Sequence, residues 1–241
     1  MKNVLIVGGT SGIGLSIALN LNEVKNVYVL GRHQPDYELP DHISYHFFDL
    51  QSFNLNSLDK FCDIDTLIIS AGFGKLGLFS EITDQEIQDY FAVNTVGIIR
   101  IIRHFYDKLL ETPNFYCAVI GSISGFMSSP FFSVYAATKA SLRIFIESVN
   151  IELEKGNSSN RILHVAPGAI KGTAFAGGKN FPEQTVDLAN QIIDKIKAKE
   201  DLFIPKYEEI FKGVLERSFQ DFREAGRQSY EYKKSSDRLS D

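Results

Sequence analysis

The sequence has few of the features that mark several common classes of protein. It has only two cysteines, Cys62 and Cys117, in no CxxC or Cys/His cluster, which favours reduced thiols in the cytoplasm over a disulfide framework. Its five histidines show no HExxH-like spacing, so we expect no metal site. No apolar run is long enough to cross a bilayer, and the first one is cut off by glycines, so we expect neither a membrane partner nor a signal peptide.

The charge balance is also ordinary. A net charge of -5 and the absence of a dominant basic block argue against a nucleic-acid partner. The chain has 241 residues, of which 44% are hydrophobic, and this suits one large α/β domain with a sizeable core.

A glycine-rich turn stands between a predicted strand and a predicted helix near the start of the chain. Val4 to Val7 is a short branched apolar run, typical of a strand buried on both faces. Gly8-Gly9-Thr10-Ser11-Gly12-Ile13-Gly14 follows, and a helical pattern begins after it. This context predicts dinucleotide binding: Gly8 permits the tight turn, Gly12 lets the backbone approach the pyrophosphate, and Gly14 lets helix and strand pack closely.

The end of the second predicted strand, Val27 to Leu30, bears on the choice of dinucleotide. An NAD-binding fold usually has an acid near this point, which hydrogen-bonds the ribose 2′-hydroxyl. This chain has Gly31 and Arg32 instead. A guanidinium binds a 2′-phosphate with two hydrogen bonds, whereas an acid repels it, so the sequence favours NADP(H) over NAD(H). The alternative is a plain surface arginine.

Further candidates follow the third and fourth strands. Asp49 and Leu50 come after the predicted strand Tyr45 to Phe48, where they would meet the adenine. Ser70-Ala71-Gly72 closes the apolar run Ile64 to Ile69, and its small side chains would let a cofactor lie against the backbone.

A predicted helix starts near Asp84, after the cap candidate Thr83, and runs towards Leu110. Asn94 lies among apolar residues inside it. By itself this asparagine is equally well explained as a helix kink or as a satisfied core polar group.

Tyr135 and Lys139 are the central pair of the sequence. They lie one turn apart on a predicted helix from about Val134 to Lys155, so a phenol and an ammonium share one face. A nearby cation favours the phenolate and lowers the pKa of a tyrosine, so the pair could work as a tuned general acid/base. Ser122 lies just upstream, in a glycine turn after the fifth strand, at the sheet edge where open α/β sheets bind ligands.

The segment after the sixth strand, Ile162 to Ala166, is placed to cover the cofactor. Pro167-Gly168-Ala169-Ile170 forms a turn that would reach the nicotinamide end. Residues 173–183 are glycine-rich and are interpreted as a mobile lid.

The C-terminal part has a different character. Apolar residues recur at helical spacing from Tyr207 to about Phe222, which predicts a helix packed on the domain or a dimer contact. The chain after Gly226 is polar and charged, and we expect it to be disordered. The sequence thus divides into a catalytic domain at 1–206, a helical extension at 207–225 and a polar tail at 226–241.

Taken in order, these motifs resemble the short-chain dehydrogenase/reductase family in its short form, over roughly Lys2 to Ile204. The resemblance implies a single doubly wound Rossmann-type α/β domain, with a parallel sheet of about seven strands and helices on both faces. It implies a catalytic tetrad of Asn94, Ser122, Tyr135 and Lys139. It implies an NADP(H) site formed by Gly8, Thr10, Ser11, Gly12, Ile13, Gly14, Arg32, Asp49, Leu50, Ser70, Ala71, Gly72, Asn94, Tyr135, Lys139, Pro167, Gly168, Ile170 and Thr173.

The chain departs from the family pattern at several points. Val7 replaces a usual threonine, and Ser70 replaces the asparagine of an Asn-Ala-Gly element, so cofactor geometry is expected to differ slightly. Thr173 comes one place late after Pro167-Gly168, which weakens its expected contact with the cofactor amide. The glycine-rich ending by which many members form tetramers is missing, so a tetramer of the usual kind is not expected. The helical tail suggests a homodimer instead.

The resemblance implies an NADPH-dependent reductase of a small-molecule ketone, aldehyde or ketoacyl group, or the reverse oxidation. An alternative is an NADP(H)-binding regulatory protein on the same fold. A sugar-nucleotide epimerase or dehydratase shares the Tyr/Lys pair, but such members have a large C-terminal domain for which this chain has no room. Aromatic and sulfur-containing residues in segments that border the cleft suggest an apolar or ring-containing substrate: Phe73, Phe126, Met127, Phe131, Phe132, Phe175 and Phe181.

Overall fold

A seven-stranded parallel sheet forms the centre of the computed structural model, which describes residues 1–173, 175 and 180–235. Its strand order is β3-β2-β1-β4-β5-β6-β7. The strands are β1 Asn3–Val7, β2 Asn26–Gly31, β3 Ile43–Phe47, β4 Thr66–Ile69, β5 Tyr116–Ile120, β6 Ile162–Val165 and β7 Leu202–Phe203. The central strands carry continuous buried apolar runs, because a parallel sheet is covered on both faces. The predicted Rossmann-type fold is confirmed.

Helices cover both faces of this sheet. They are α1 Gly12–Asn20, α2 Asp84–Phe91, α3 Gly97–His104, α4 Tyr106–Glu111, α5 Ser133–Lys155, α6 Val186–Lys197, α7 Lys212–Gln220 and α8 Phe222–Ser235. Apolar residues of α1 and α6 join one buried cluster with the sheet, and those of α3, α4 and α5 join the other. No helix in the described part of the chain combines the length and apolar character needed to cross a bilayer.

The helical stretch after Thr83 is interrupted where the sequence predicts one helix. Thr83 forms a capping box with Glu86, as its position before the helix suggests. A π-helical turn at Ala92–Val96 then separates α2 from α3, and Phe105, with φ -98° and ψ 11°, separates α3 from α4. Asn94 lies inside the π-helical turn, which is a common position for functional residues.

The C-terminal region differs from the sequence expectation. Residues 226–235, expected to be disordered, belong to α8. The helix is supported by local pairs such as Arg227 with Glu224, and by contacts of Tyr230 and Lys233 with the segment before α5. Composition indicates local ion pairs only weakly, and it does not indicate contacts with a distant segment of the chain. Residues 236–241, and residues 174 and 176–179 of the expected lid, lie outside the described residues.

The core predicts how stability depends on one large side chain. Phe115 is fully buried in the cluster beneath α3, α4 and α5. Phe115→Ala is expected to lower the free energy of unfolding by about 3–5 kcal/mol, because it removes a buried ring and leaves a cavity. Urea unfolding measures the change. Phe47→Ala is the matched control, because the Phe47 side chain is 70% exposed. A comparable loss of unfolding free energy in that variant would contradict the assignment of Phe115 to the stabilising core.

Candidate active site

The glycine turn after β1 is built around contacts that leave no room for side chains. Gly8 adopts a φ of +80°, and its N–H donates to the Leu30 carbonyl at 2.7 Å. A Cβ at Gly8 would collide with the backbone nitrogen of Ala71, and one at Gly14 would collide with the Gly8 carbonyl. The turn therefore packs strand against helix as the sequence predicts.

The same turn presents donors suited to a phosphate. Gly12, with a φ of +53°, opens α1, whose N-cap Ser11 makes no side-chain capping bond. The Gly12 N–H donates to Asn180 Oδ1 at 3.1 Å, so this amide already faces an acceptor oxygen. A helix N-terminus with an outward-facing amide fits the pyrophosphate of a dinucleotide. Ile13 is half-buried beside it.

The end of β2 is closed to an acidic side chain. A Cβ at Gly31 would lie 2.8 Å from Thr10 Cγ2, so Thr10 occupies the space that such a side chain would need. Arg32 follows as an exposed residue.

The residues after β3 have mixed roles. Asp49 is half-buried, and its Oδ1 accepts from the Gln51 N–H at 3.0 Å. Leu50 is buried, and its Cδ2 lies 2.9 Å from where a Gly97 Cβ would be. Leu50 thus packs beneath α3. This core contact was not part of the prediction that Leu50 would meet the adenine.

Tyr135 lies in the first turn of α5 and is 7% exposed. Burial raises the pKa of its phenol to about 12, while a hydrogen bond with Ser122 acts in the opposite direction. The phenol therefore keeps its proton at neutral pH in this structure.

Ser122 is prepared to donate a hydrogen bond. Its Oγ accepts from the Ser124 N–H at 3.2 Å and from the Ser124 hydroxyl at 2.9 Å. Two donors engage the oxygen, so the Ser122 proton is left to point towards Tyr135 or a substrate oxygen. Ser124 thus supports Ser122 through two hydrogen bonds.

Lys139 is buried beneath the Tyr135 ring. Its Nζ lies 5.6 Å from the ring centroid and donates to the Ile120 carbonyl at 3.2 Å. Burial lowers the pKa of this lysine to about 8. The expected lowering of the tyrosine pKa by Lys139 is thus not seen here: the ammonium faces the ring and a carbonyl, and removal from water dominates both groups.

Asn94 is fully buried and acts as a clamp on the segment after β4. Its Oδ1 accepts from the Phe73 N–H at 2.9 Å, and its Nδ2 donates to the Phe73 carbonyl at 2.8 Å. Nδ2 also lies 3.3 Å from Thr138 Oγ1, on the α5 turn between Tyr135 and Lys139. A Cβ at Gly72 would lie 3.2 Å from both Asn94 Oδ1 and Lys139 Nζ, so Gly72 opens the space above them.

The remaining predicted cofactor residues lie around the same edge. Ser70 and Ala71 donate their N–H groups to the Val7 carbonyl at 2.8 and 3.1 Å. The Pro167 carbonyl accepts from the Ile123 N–H at 3.0 Å, just after Ser122.

The segment after Pro167 reaches the glycine turn. Ile170 is half-buried, and its carbonyl accepts from Thr173 Oγ1 at 2.9 Å. The Thr173 Cβ lies 3.6 Å from where a Gly12 Cβ would be, so its late position in sequence still places it beside that turn. Gly168 packs against the Phe211 ring, which the extension supplies.

The predicted aromatic residues divide into two groups. Phe132 and Phe175 lie 5.4 and 5.2 Å from the Tyr135 ring, and Phe73 packs against the same small cluster. Phe126 instead stacks on His164 and Phe131 on Tyr230. Phe181 is exposed and Met127 half-buried.

His164 on β6 lies near Lys139, although no motif in the sequence predicts a role for it. It is buried, and a Cβ at Gly121 would collide with its Nε2, for which no hydrogen-bond partner exists within the described residues. Burial, with help from the Lys139 and Arg143 charges, lowers the pKa of the imidazole to about 4, so it is neutral.

Several known proteins resemble this chain. The profile of the short chain dehydrogenase family matches residues 2–184. The chain belongs to this family of oxidoreductases. It is 31% identical over 206 residues to YvrD, an uncharacterized oxidoreductase of Bacillus subtilis, covering 80% of this chain and 76% of that protein. It is 25% identical over 230 residues to bovine retinol dehydrogenase 8, covering 88% and 73%.

Solved structures show the same fold. A short-chain dehydrogenase from Streptomyces avermitilis superposes with a TM-score of 0.76 at 21% identity, covering 95% of this chain and 97% of that one. One from Sphingobium yanoikuyae superposes with a TM-score of 0.71 at 20% identity, covering 92% and 97%.

The Asn180 contact predicts competition with a dinucleotide. Asn180→Ala removes the acceptor that now holds the Gly12 N–H, so a nicotinamide cofactor is expected to bind more tightly, by up to about tenfold for one net hydrogen bond. Fluorescence titration of the reduced cofactor measures the dissociation constant. Asn190→Ala, on the exposed side of α6, is the control. Weaker binding in Asn180→Ala would show that Asn180 instead holds the cofactor.

Proposed function

We propose that the protein is an NADPH-dependent reductase of a carbonyl group, whether ketone, aldehyde or ketoacyl. The observation that carries this proposal is the arrangement of a protonated Tyr135, a donating Ser122 and a buried Lys139 at one point. The family supplies the class of reaction, oxidoreduction. The protonated phenol of Tyr135 supports the proposed reduction, in which it acts as the general acid.

NADPH, when bound, supplies the hydride. Ser122 donates its hydroxyl proton as a hydrogen bond to the carbonyl oxygen and stabilises the negative charge that develops there. Tyr135 gives its proton to the same oxygen as general acid. As that proton leaves, an ammonium at Lys139 stabilises the phenolate, and the lysine would also bind the nicotinamide ribose.

Asn94 has a positioning part in this proposal. Its side chain is engaged by Phe73 and Thr138, so it holds the segment after β4 against α5. Asn94 would also hold a water that links Lys139 to solvent for reprotonation, because its Oδ1 accepts one hydrogen bond here and has a second lone pair. This water remains part of the proposal.

The proposed preference for NADP(H) rests on the end of β2. Thr10 fills the space at Gly31, and Arg32 is exposed next to it with its guanidinium available for a 2′-phosphate. The Sphingobium yanoikuyae structure contains NADPH, and a related one from Burkholderia cenocepacia contains NADP.

The proposed substrate is a small apolar or ring-containing carbonyl compound. Phe73, Phe132 and Phe175 surround Tyr135 and would pack against such a molecule. The similarity to retinol dehydrogenase 8 points the same way. Both cysteines are free thiols, as suits the reducing cytoplasm where we place the protein.

Tyr135→Phe tests the catalytic assignment. The variant keeps the ring but loses the transferable proton, so kcat is expected to fall by about 10²–10⁴-fold while the dissociation constant of NADPH changes little. NADPH oxidation is followed against a panel of ketones, aldehydes and ketoacyl compounds. Tyr232→Phe, on the exposed side of α8, is the control. Undiminished turnover would remove Tyr135 from the mechanism. Tight NADPH binding with no turnover by the wild type would favour a regulatory protein.

Arg32→Ala tests the cofactor preference. Loss of a charged hydrogen bond costs about 1.5–3 kcal/mol, so NADPH binding is expected to weaken at least about tenfold while NADH binding stays nearly constant. Titration with both cofactors gives the two dissociation constants. Arg103→Ala, an exposed arginine on α3, controls for the change in net charge. Equal losses for the two cofactors would refute a 2′-phosphate site.

A further inference from the structure

The C-terminal helix α8 lies across the segment that leads into the catalytic helix. Lys233 Nζ donates to Ser129 Oγ at 2.7 Å and to the Pro130 carbonyl at 2.9 Å. Tyr230 stacks on Phe131 with centroids 4.7 Å apart. These contacts join residues about a hundred positions apart in sequence, so α8 holds the segment Ser129–Phe132 from outside.

This segment ends at the ring beside the proposed catalytic tyrosine. Phe132 lies 5.4 Å from the Tyr135 ring and 6.3 Å from the Phe175 ring. Lys233 Nζ also lies 5.4 Å from the centroid of Phe132. One lysine therefore contacts both the backbone of the segment and the aromatic face next to the site.

The backbone of the segment needs this support. Phe131 adopts a left-handed φ of 64°, a conformation that costs free energy for a bulky residue. Its carbonyl accepts from the Gly77 N–H at 3.0 Å on one side, and its ring meets Tyr230 on the other. A strained turn persists only when its surroundings hold it, and α8 supplies one of the two sides.

Lys233 is unlike the lysine that follows it. Lys234 is exposed, whereas Lys233 is half-buried, and burial lowers the pKa of its ammonium to about 8. Removing an ammonium from water is unfavourable unless other contacts compensate. The two hydrogen bonds and the aromatic face provide that compensation, so the contact belongs to the folded architecture.

We infer that Lys233 is a positioning residue that fixes Ser129–Phe132 from the C-terminal helix and thereby determines which carbonyl compounds fit beside Tyr135. It acts through Phe132 and does not touch the reacting atoms. The effect on substrates rests on the proposed function, whereas the positioning of Phe132 does not.

The first experiment measures position without turnover. The chain contains no tryptophan, so Phe132→Trp introduces a single fluorescent reporter at the ring in question. In this background Lys233→Met is expected to raise the acrylamide quenching constant of the reporter several-fold, because the segment is released. Lys234→Met should leave the constant unchanged. Ser129→Ala removes only one of the two acceptors and should give a smaller increase, which keeps the test valid if Lys233→Met folds poorly.

The second experiment measures how substitutions of Lys233 change KM for different substrates. It uses the chain that keeps Phe132. Lys233→Met is expected to raise KM for a ring-containing ketone about tenfold, as for one charge-assisted hydrogen bond, with kcat and NADPH affinity nearly unchanged. Lys233→Arg, which keeps a cation and its donors, should restore most of the loss. A small aliphatic ketone should show little change in KM.

The outcomes separate the two proposals. Unchanged quenching in both Lys233→Met and Ser129→Ala would overturn the positioning role, whatever the activity. Increased quenching in a protein that reduces no carbonyl compound would support the positioning role and refute the proposed function. Increased quenching with equal losses of kcat on every substrate would overturn the selective role of the segment.

Discussion

The register of the parallel sheet is the constraint on which the site depends. Val7 of β1 pairs with Leu30 of β2 on one side and with Ile69 of β4 on the other. Ile69 pairs in turn with Val119 of β5, so the strands end at nearly one level. Gly31 ends β2, and Gly8, Ser70, Gly121 and Ala166 follow the other central strands along the edge where such sheets bind ligands. A shift of register would separate the glycine turn from Ala71 and the Ser122 turn from Pro167.

Burial controls the ionisation of Tyr135 and Lys139. The pKa of Tyr135 rises and that of Lys139 falls for the same reason, because burial disfavours the charged form of each group. Neutral His164 lies behind them under the same influence. A dry site keeps the phenol protonated and strengthens any hydrogen bond made to a developing oxyanion.

The family profile does not match the whole chain. The family profile ends at residue 184, before α6 and the whole helical extension. The chain after residue 206 nevertheless reaches the site at two points, through Phe211 against Gly168 and through Lys233 against Ser129 and Pro130. In the proposed function, the part that the profile matches supplies the catalytic residues, and the chain after residue 206 supplies part of the wall around the substrate. Specificity within such a family is therefore expected to reside in segments that a profile does not match.

Features that depend on local pattern could be predicted from the sequence alone. Branched apolar runs predicted the strands, the glycine turn predicted the first crossing from strand to helix, and the spacing of Tyr135 and Lys139 placed both on one face of α5. Tertiary structure decided what depends on distant neighbours. The clamp of Asn94 on Phe73 joins residues 21 apart, and the anchoring of α8 joins Lys233 to Ser129. The directions of the pKa shifts also belong to this second group, because burial is the sum of contributions from segments that meet only in the fold, and no spacing along the chain records it.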